Sequence, residues 1–225
     1  MKKCKNYLLA LMLSFYFILT SCGEETITTN NNNNNNNNLD TVKIGNQVWM
    51  KKNLDVDHYR NGDPIPQVND ALEWSKLTTG AWCYYNNDTS YGKTYGKLYN
   101  WFAVNDPRGL APDGWRIPSV DDWTILINYL GGDEIAGGKL KQTGTDFWQV
   151  PNTGATNESG FIGLPSGFRR ENGLFYNLGY SCNWWTTNDM GGEYAFNIFI
   201  DKLTAKTQKN ADDVRFGFAI RCIRE

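Results

Sequence analysis

The chain has 225 residues, with 22 lysines and arginines against 24 acids and a single histidine, a formal charge of −2. No basic block runs through it, which argues against nucleic acid as a partner. One histidine excludes a histidine-based metal centre by count, and five cysteines without C-x-x-C spacing exclude a zinc knuckle or a thioredoxin-type motif.

The N-terminus carries Lys2, Lys3 and Lys5 and then an apolar run from Tyr7 to Leu19, too short to span a bilayer comfortably. It ends in Leu19-Thr20-Ser21-Cys22, which resembles the bacterial lipobox. That resemblance implies that residues 1–21 are a lipoprotein signal peptide and that Cys22 carries a lipid, the only attachment to a membrane. The Gly-Glu-Glu after Cys22 resembles the acidic surface-export signals of Bacteroidetes lipoproteins, so an outer-membrane lipoprotein exposed on the cell surface is expected. Removing residues 1–21 leaves 19 basic against 24 acidic side chains.

Residues 22–40 hold nine consecutive asparagines, Asn30–Asn38, which cannot bury apolar surface and read as a disordered tether. A flexible chain of that length spans roughly 20–25 Å, enough to lift a domain off a membrane. At the junction, Asp40-Thr41-Val42 resembles the Bacteroidetes O-glycosylation motif, which makes Thr41 a candidate acceptor in a reachable linker.

From residue 41 to 225 the composition changes to one of tryptophans and glycines without long polar gaps, the length of one large domain. Val42 and Ile44 alternate before a Gly-Asn turn, followed by Val48 and Trp49, a short strand pattern. In "YGKLYNWFAVND", Leu98, Trp101 and Phe102 fall at helical spacing and predict a first helix. In "GWRIPSVDDWTILINYLGG", Pro118 breaks the preceding extended segment and Ser119 with Asp122 can form a capping box. The second helix therefore begins at Val120, buries Trp123, Leu126, Ile127 and Leu130, and stops at Gly131-Gly132.

The second half is strand-like. Extended segments pair around Glu171-Asn172-Gly173, and "CNWWTTN", "EYAFNIFID" and "RFGFAIRCIRE" follow as β segments. In the last, Phe216, Phe218, Ile220 and Cys222 share one face. Two helices and short strands with long loops make an α+β domain. With Cys4 lost and Cys22 lipidated, Cys83, Cys182 and Cys222 allow at most one internal disulfide.

"KIGNQVWMKKNL", "RNGDPIP", "YGKLYNWFAV", "PDGWRIPSVDDW", "TNESGFIGLPSGFR", "NWWTTN" and "GFAIRCIRE" follow one another as in the Fibrobacter succinogenes major paralogous domain, and the likeness spans residues 41–225. That resemblance implies a C-type-lectin-like fold and no settled activity. The same fold is associated with the formylglycine-generating sulfatase-modifying family, whose helix start and closing strand are similar to residues 117–123 and 217–222 here. Members of the Fibrobacter family often carry a cysteine where this chain has Ala111, so a disulfide of Cys222 with Cys83 or Cys182 is expected without support from that analogy.

His58 lies between acids and a turn, without a nucleophile motif, and reads as an exposed loop residue. The sugar-binding tripeptides of calcium-dependent lectins are missing, and "DVDHYRNG" has Tyr59 where a calcium loop needs an oxygen, which leaves a structural calcium open and assigns no cofactor. Of the adjacent Trp184 and Trp185, one faces the core and the other is a candidate sugar platform, with Arg169, Arg170 and Tyr176 as a polar rim. The copper-binding cysteine pair of the formylglycine-generating enzymes is absent, since Cys222 stands forty residues from Cys182. A non-catalytic module for a glycan or protein ligand is therefore the expected function, with a structural part in a surface assembly as the alternative and an oxidase of the formylglycine type behind both.

Overall fold

The computed structural model describes residues 40–225. The expected signal peptide, Cys22 and the tether up to Leu39 lie outside the described residues. Within them the chain is α+β. The strands are β1 (Thr41–Ile44), β2 (Gln47–Met50), β3 (Trp82–Cys83), β4 (Leu98–Tyr99), β5 (Trp115–Arg116), β6 (Ser166–Arg169), β7 (Phe175–Leu178), β8 (Ser181–Gly191), β9 (Tyr194–Asp201), β10 (Gln208–Asp213) and β11 (Ile223–Arg224). The helices are α1 (Ala71–Ser75), α2 (Gly92–Tyr95), α3 (Trp101–Val104), α4 (Val120–Tyr129) and α5 (Asp133–Leu140). None of them is long and apolar enough to cross a membrane.

The first sheet has the order β1-β2-β11-β5 and is antiparallel throughout. It brings the beginning and the end of the domain together, with Ile223 opposite Trp49. The β1–β2 hairpin turns at Gly45, whose φ of 59° is the positive value that a glycine-first two-residue turn requires. The second sheet has the order β10-β9-β8-β6-β7, antiparallel except for one parallel contact between Gly167 of β6 and Cys182 of β8. β3 and β4 form a separate pair.

α4 starts where the sequence places it. Pro118 leaves Ser119 extended at φ −81°, ψ 170°, and Ser119 and Asp122 satisfy each other's backbone N–H groups. Arg116 then forks onto the Asp122 carboxylate at 2.5 and 2.7 Å. Burial works to raise the Asp122 pKa, but the bonds from Arg116 and Ser119 outweigh it and hold the carboxyl low. Trp123, Leu126, Ile127 and Leu130 are buried, as their spacing requires.

The other expected helix is corrected. Only Trp101–Val104 is helical, a single turn, and Leu98 belongs to β4 opposite Cys83. Asn100 caps that turn by accepting from Ala103 N–H, so the stripe at Leu98 crosses a strand-to-helix boundary. α5 has no sequence expectation behind it, because Gly137 and Gly138 weaken the helical pattern. Their purpose is packing: a Cβ at Gly137 would collide with the Lys206 carbonyl, and one at Gly138 with the Gly154 carbonyl.

Two large clusters make up most of the core, and β8 stands between them. Trp185 packs with Tyr99, Trp101, Ile117, Phe218 and Ile220, whereas Trp184 packs with Trp49, Trp123, Phe161, Ile198 and Ile200. The C-terminal segment runs along the same divide. Phe218, Ile220 and Cys222 enter the first cluster, with Phe216 packed against it, while Ala219 and Ile223 enter the second. That segment is irregular rather than one long strand. It is pinned by scattered backbone bonds to several neighbours, among them Leu54 N–H to Ile220 O at 2.9 Å and Trp185 N–H to Ala219 O at 3.2 Å.

Candidate functional site

The residues expected to meet a ligand do not assemble into one surface. Trp184 and Trp185 are both fully buried. They do point to opposite faces of β8, but each face is covered by its own core cluster, so the expectation of an outward tryptophan is overturned. Each indole removes about 150–250 Å² from water, and each N–H is spent inside, Trp184 on Asn53 and Trp185 on the Tyr99 carbonyl, both at 2.9 Å.

Arg169 is also buried completely and is corrected from rim to core. Its guanidinium donates to the carbonyls of Gly173, Val68, Asn69 and Asp70 at 2.6–3.2 Å and lies 4.4 Å from the Trp74 ring. Arg170 and Tyr176 do remain on the outside of the β6–β7 hairpin, where Arg170 bonds Glu171 at 3.2 Å and Tyr176 stacks on Phe168. His58 is exposed and bonded to Asp57 at 2.6 Å. Thr41 is the first residue of β1, paired with Met50 and half-buried, rather than part of a free linker.

The expected disulfide is overturned as well. Cys83, Cys182 and Cys222 are all free and buried, and they fall in three different core clusters. Burial pushes each thiol up to about 12, so none supplies a thiolate at neutral pH. Among the described residues, no group of three histidine, cysteine or acidic side chains is placed to hold a metal ion.

A concave site does exist elsewhere. A cleft of about 340 Å³ opens between the chain after β2, helix α2, the loop after α5 and the C-terminal segment. Lys51, Lys52 and Asn53 come from the first, Lys93 and Thr94 from the second, Gln142 and Phe147 from the third. Main-chain bonds fix these pieces. Lys51 N–H donates to Asp40 O at 2.9 Å, Met50 N–H to Cys222 O at 3.0 Å, and Gln142 N–H to Gly163 O at 3.0 Å. At Gly96, φ is 74° and a Cβ would collide with the Leu54 carbonyl, which lets the end of α2 close against residues 53 and 54.

Arg221 forms an inner wall of the cleft although it is only 1 % exposed. Its Nε donates to Asn53 Oδ1 at 3.1 Å. Nη1 donates to the Met50 and Phe161 carbonyls at 3.0 and 2.7 Å, and Nη2 makes one long bond, 3.4 Å, to Ile162 O. A guanidinium has five N–H donors. The second N–H on Nη2 has no acceptor among the described residues. Among the described residues Arg221 has no carboxylate within ion-pair distance either, and burial pushes it down to about 9, far below an ordinary arginine.

The charges around it are one-sided. Lys51 pairs with Asp40 at 3.1 Å, but Lys52 and Lys93 have no ion pair among the described residues. Phe147 is 39 % exposed and begins a run of edge-to-face and tilted rings, Phe147–Tyr95–Tyr91–Tyr85–Phe175, with centroids 5.4–6.4 Å apart. Such a site can hold a polar ligand through ammonium, amide and hydroxyl donors while an aromatic face covers its apolar side. The sequence signal for this cleft was a charge inside an apolar run, Ile220-Arg221-Cys222. Alternation along that run assigns Arg221 to the face away from Ile220, which here is a second interior and not solvent.

No curated protein and no solved structure showed significant similarity to the chain. The Fibrobacter succinogenes major domain matches residues 42–224, which include every strand but the first residue of β1 and every side chain of the cleft except Asp40. With that span, the chain belongs to the Fibrobacter succinogenes major domain family.

Proposed function

We propose that this protein is a non-catalytic binding module for a glycan, held to the outer membrane by a lipid on Cys22 and displayed at the cell surface on its asparagine-rich tether. The α+β arrangement of short helices, mostly antiparallel strands and long loops suits the C-type-lectin-like fold that the family resemblance implies. The observation that carries the binding role is the cleft, where hydrogen-bond donors from four separate segments converge beside the exposed ring of Phe147. A sugar presents hydroxyls along its edges and C–H groups on its faces, and this cleft offers a partner for each. The same reading fits the placement of the thiols and the histidine. The three thiols are sealed in the core, and His58 lies outside the cleft on the chain around a turn.

The test uses full-length lipidated chain in detergent, screened on a glycan array beside an affinity pull-down from envelope extract. Reproducible binding to a set of related glycans, competed by the free sugar, supports the module. Stable copurifying proteins with no glycan bound would instead make it a component of an assembly. Localisation is tested separately. Cys22→Ala should abolish membrane retention, and protease added to intact cells should remove the domain.

A further inference from the structure

We propose that the ligand of the cleft is an acidic sugar, bound by its carboxylate or sulfate group at Arg221, Lys52 and Lys93 with the pyranose face against Phe147. This rests on the glycan-binding reading and specifies its substrate class. The reason is an imbalance of charge and hydrogen bonding. Arg221 is buried at the inner wall, and among the described residues it has one Nη2 N–H unspent and no carboxylate within ion-pair distance. A buried cation without a counter-ion is costly, and an anion that also accepts a hydrogen bond removes both defects at once.

The surroundings direct where that anion can sit. Asn53 holds the guanidinium plane by accepting from Arg221 Nε and from Trp184 Nε1, and it donates to the Tyr95 carbonyl at 2.9 Å. Arg221 is further fixed with its guanidinium 4.3 Å from the Phe161 ring. It cannot swing out to meet a ligand, so the ligand's charged group must come to it. Lys52 and Lys93 stand at the exposed lip of the same cleft, without an ion pair among the described residues. Asp40, the one acid of the lining, is engaged by Lys51.

A free inorganic anion satisfies the charge but leaves the aromatic wall unused. Phe147, in an edge-to-face pair with Tyr95 at 6.4 Å, is an exposed ring of the lining that the C–H face of a sugar can cover. Thr94 and Gln142 then lie within the same lining as partners for hydroxyls.

The experiment is calorimetric titration of the full-length chain in detergent with digalacturonate, a 6-sulfated disaccharide, inorganic sulfate, and the methyl ester of digalacturonate. The expected result is binding of one or both acidic sugars, at least tenfold weaker for the ester and for inorganic sulfate. Lys52→Glu combined with Lys93→Glu, surface changes that leave the core intact, should weaken the acidic sugar at least tenfold. Phe147→Ala should weaken the sugar but not inorganic sulfate. Equal affinity for acid and ester, or acidic-sugar binding indifferent to the lysine reversal, would overturn the proposal. If neutral glycans bind and ignore the lysine reversal, the binding-module reading stands and this assignment of the cleft falls. If no glycan of any charge binds, both fall.

Discussion

Arg169 and Arg221 are both buried completely, both lie against aromatic rings, and neither pairs with an acid among the described residues, yet their surroundings differ in one respect. Arg169 donates to four carbonyls of two chain segments and so joins residues 68–70 to the β6–β7 hairpin, away from the cleft. Arg221 opens onto a cleft with a donor to spare. A buried guanidinium enclosed by the chain segments it joins is a structural clasp; one with a spare donor beside a cavity is a place for something to bind. Lys141 supports the first half of that rule, because its three N–H donors end on the carbonyls of Thr153, Asp201 and Thr204, each at 2.8 Å.

The sharpest way to break the comparison is to remove the clasp. Arg169→Met leaves the Val68 and Gly173 carbonyls without donors, while Asn69 and Asp70 keep theirs from Asn87 Nδ2 and Trp74 N–H, so at about 1–3 kcal/mol for each orphan a loss of about 3 kcal/mol or more is expected in urea denaturation. A loss below about 1 kcal/mol would mean that those carbonyls find water and that Arg169 is not structural.

The tryptophans come next. Trp184→Ala and Trp185→Ala should each cost about 3–5 kcal/mol, because both indoles fill fully packed interiors. Had one of them been a surface platform, its replacement would leave stability nearly unchanged. Arg221→Met should cost less than Arg169→Met, about 2 kcal/mol, since the loss of the Met50 and Phe161 bonds is offset by relief of an uncompensated buried charge.

A pH effect of intermediate size is built into the exposed ion pairs. Hydrogen bonds from Arg108 hold the Asp106 carboxyl at about 2, against an ordinary 3.8. A depressed folded pKa means that the unfolded chain takes up the proton first as pH falls. The stabilisation is therefore full above about pH 4 and is lost as pH drops through 2. Asp122 and Asp213 are lowered as well, so their contributions are lost in the same direction. Thermal melts between pH 5 and 2 should show a falling Tm, and Asp106→Asn should flatten that fall. The smallest effect belongs to the lip of the cleft. Lys93→Ala should change stability by less than about 0.5 kcal/mol, as expected of a surface side chain without a partner.

The sequence showed some of this directly and hid the rest for identifiable reasons. The start of α4 was legible residue by residue, because capping is local: Pro118, Ser119 and Asp122 need only one another. The β1–β2 hairpin was legible for the same reason. α5 was hidden, since its two glycines serve contacts with Lys206 and Gly154, far away in the chain. The fates of Trp184 and Trp185 were hidden too. Alternation tells which residues share a face but not whether the second face meets water, and β8 is covered on both. The cleft shared that fate: nothing local marks Lys51-Lys52, and only the packing of residues 50–54 against the C-terminal segment brings Arg221 beside them.

The claim that Arg221 is an unfilled anion site, whereas Arg169 is a finished clasp, is most directly tested by a crystal structure of the protein grown with digalacturonate. The account predicts a carboxylate within hydrogen-bond distance of Arg221 Nη2, the sugar ring against Phe147, and the bonds of Arg169 unchanged. A sugar seated instead on Arg170 and Tyr176 of the β6–β7 hairpin, with only water beside Arg221, would contradict it.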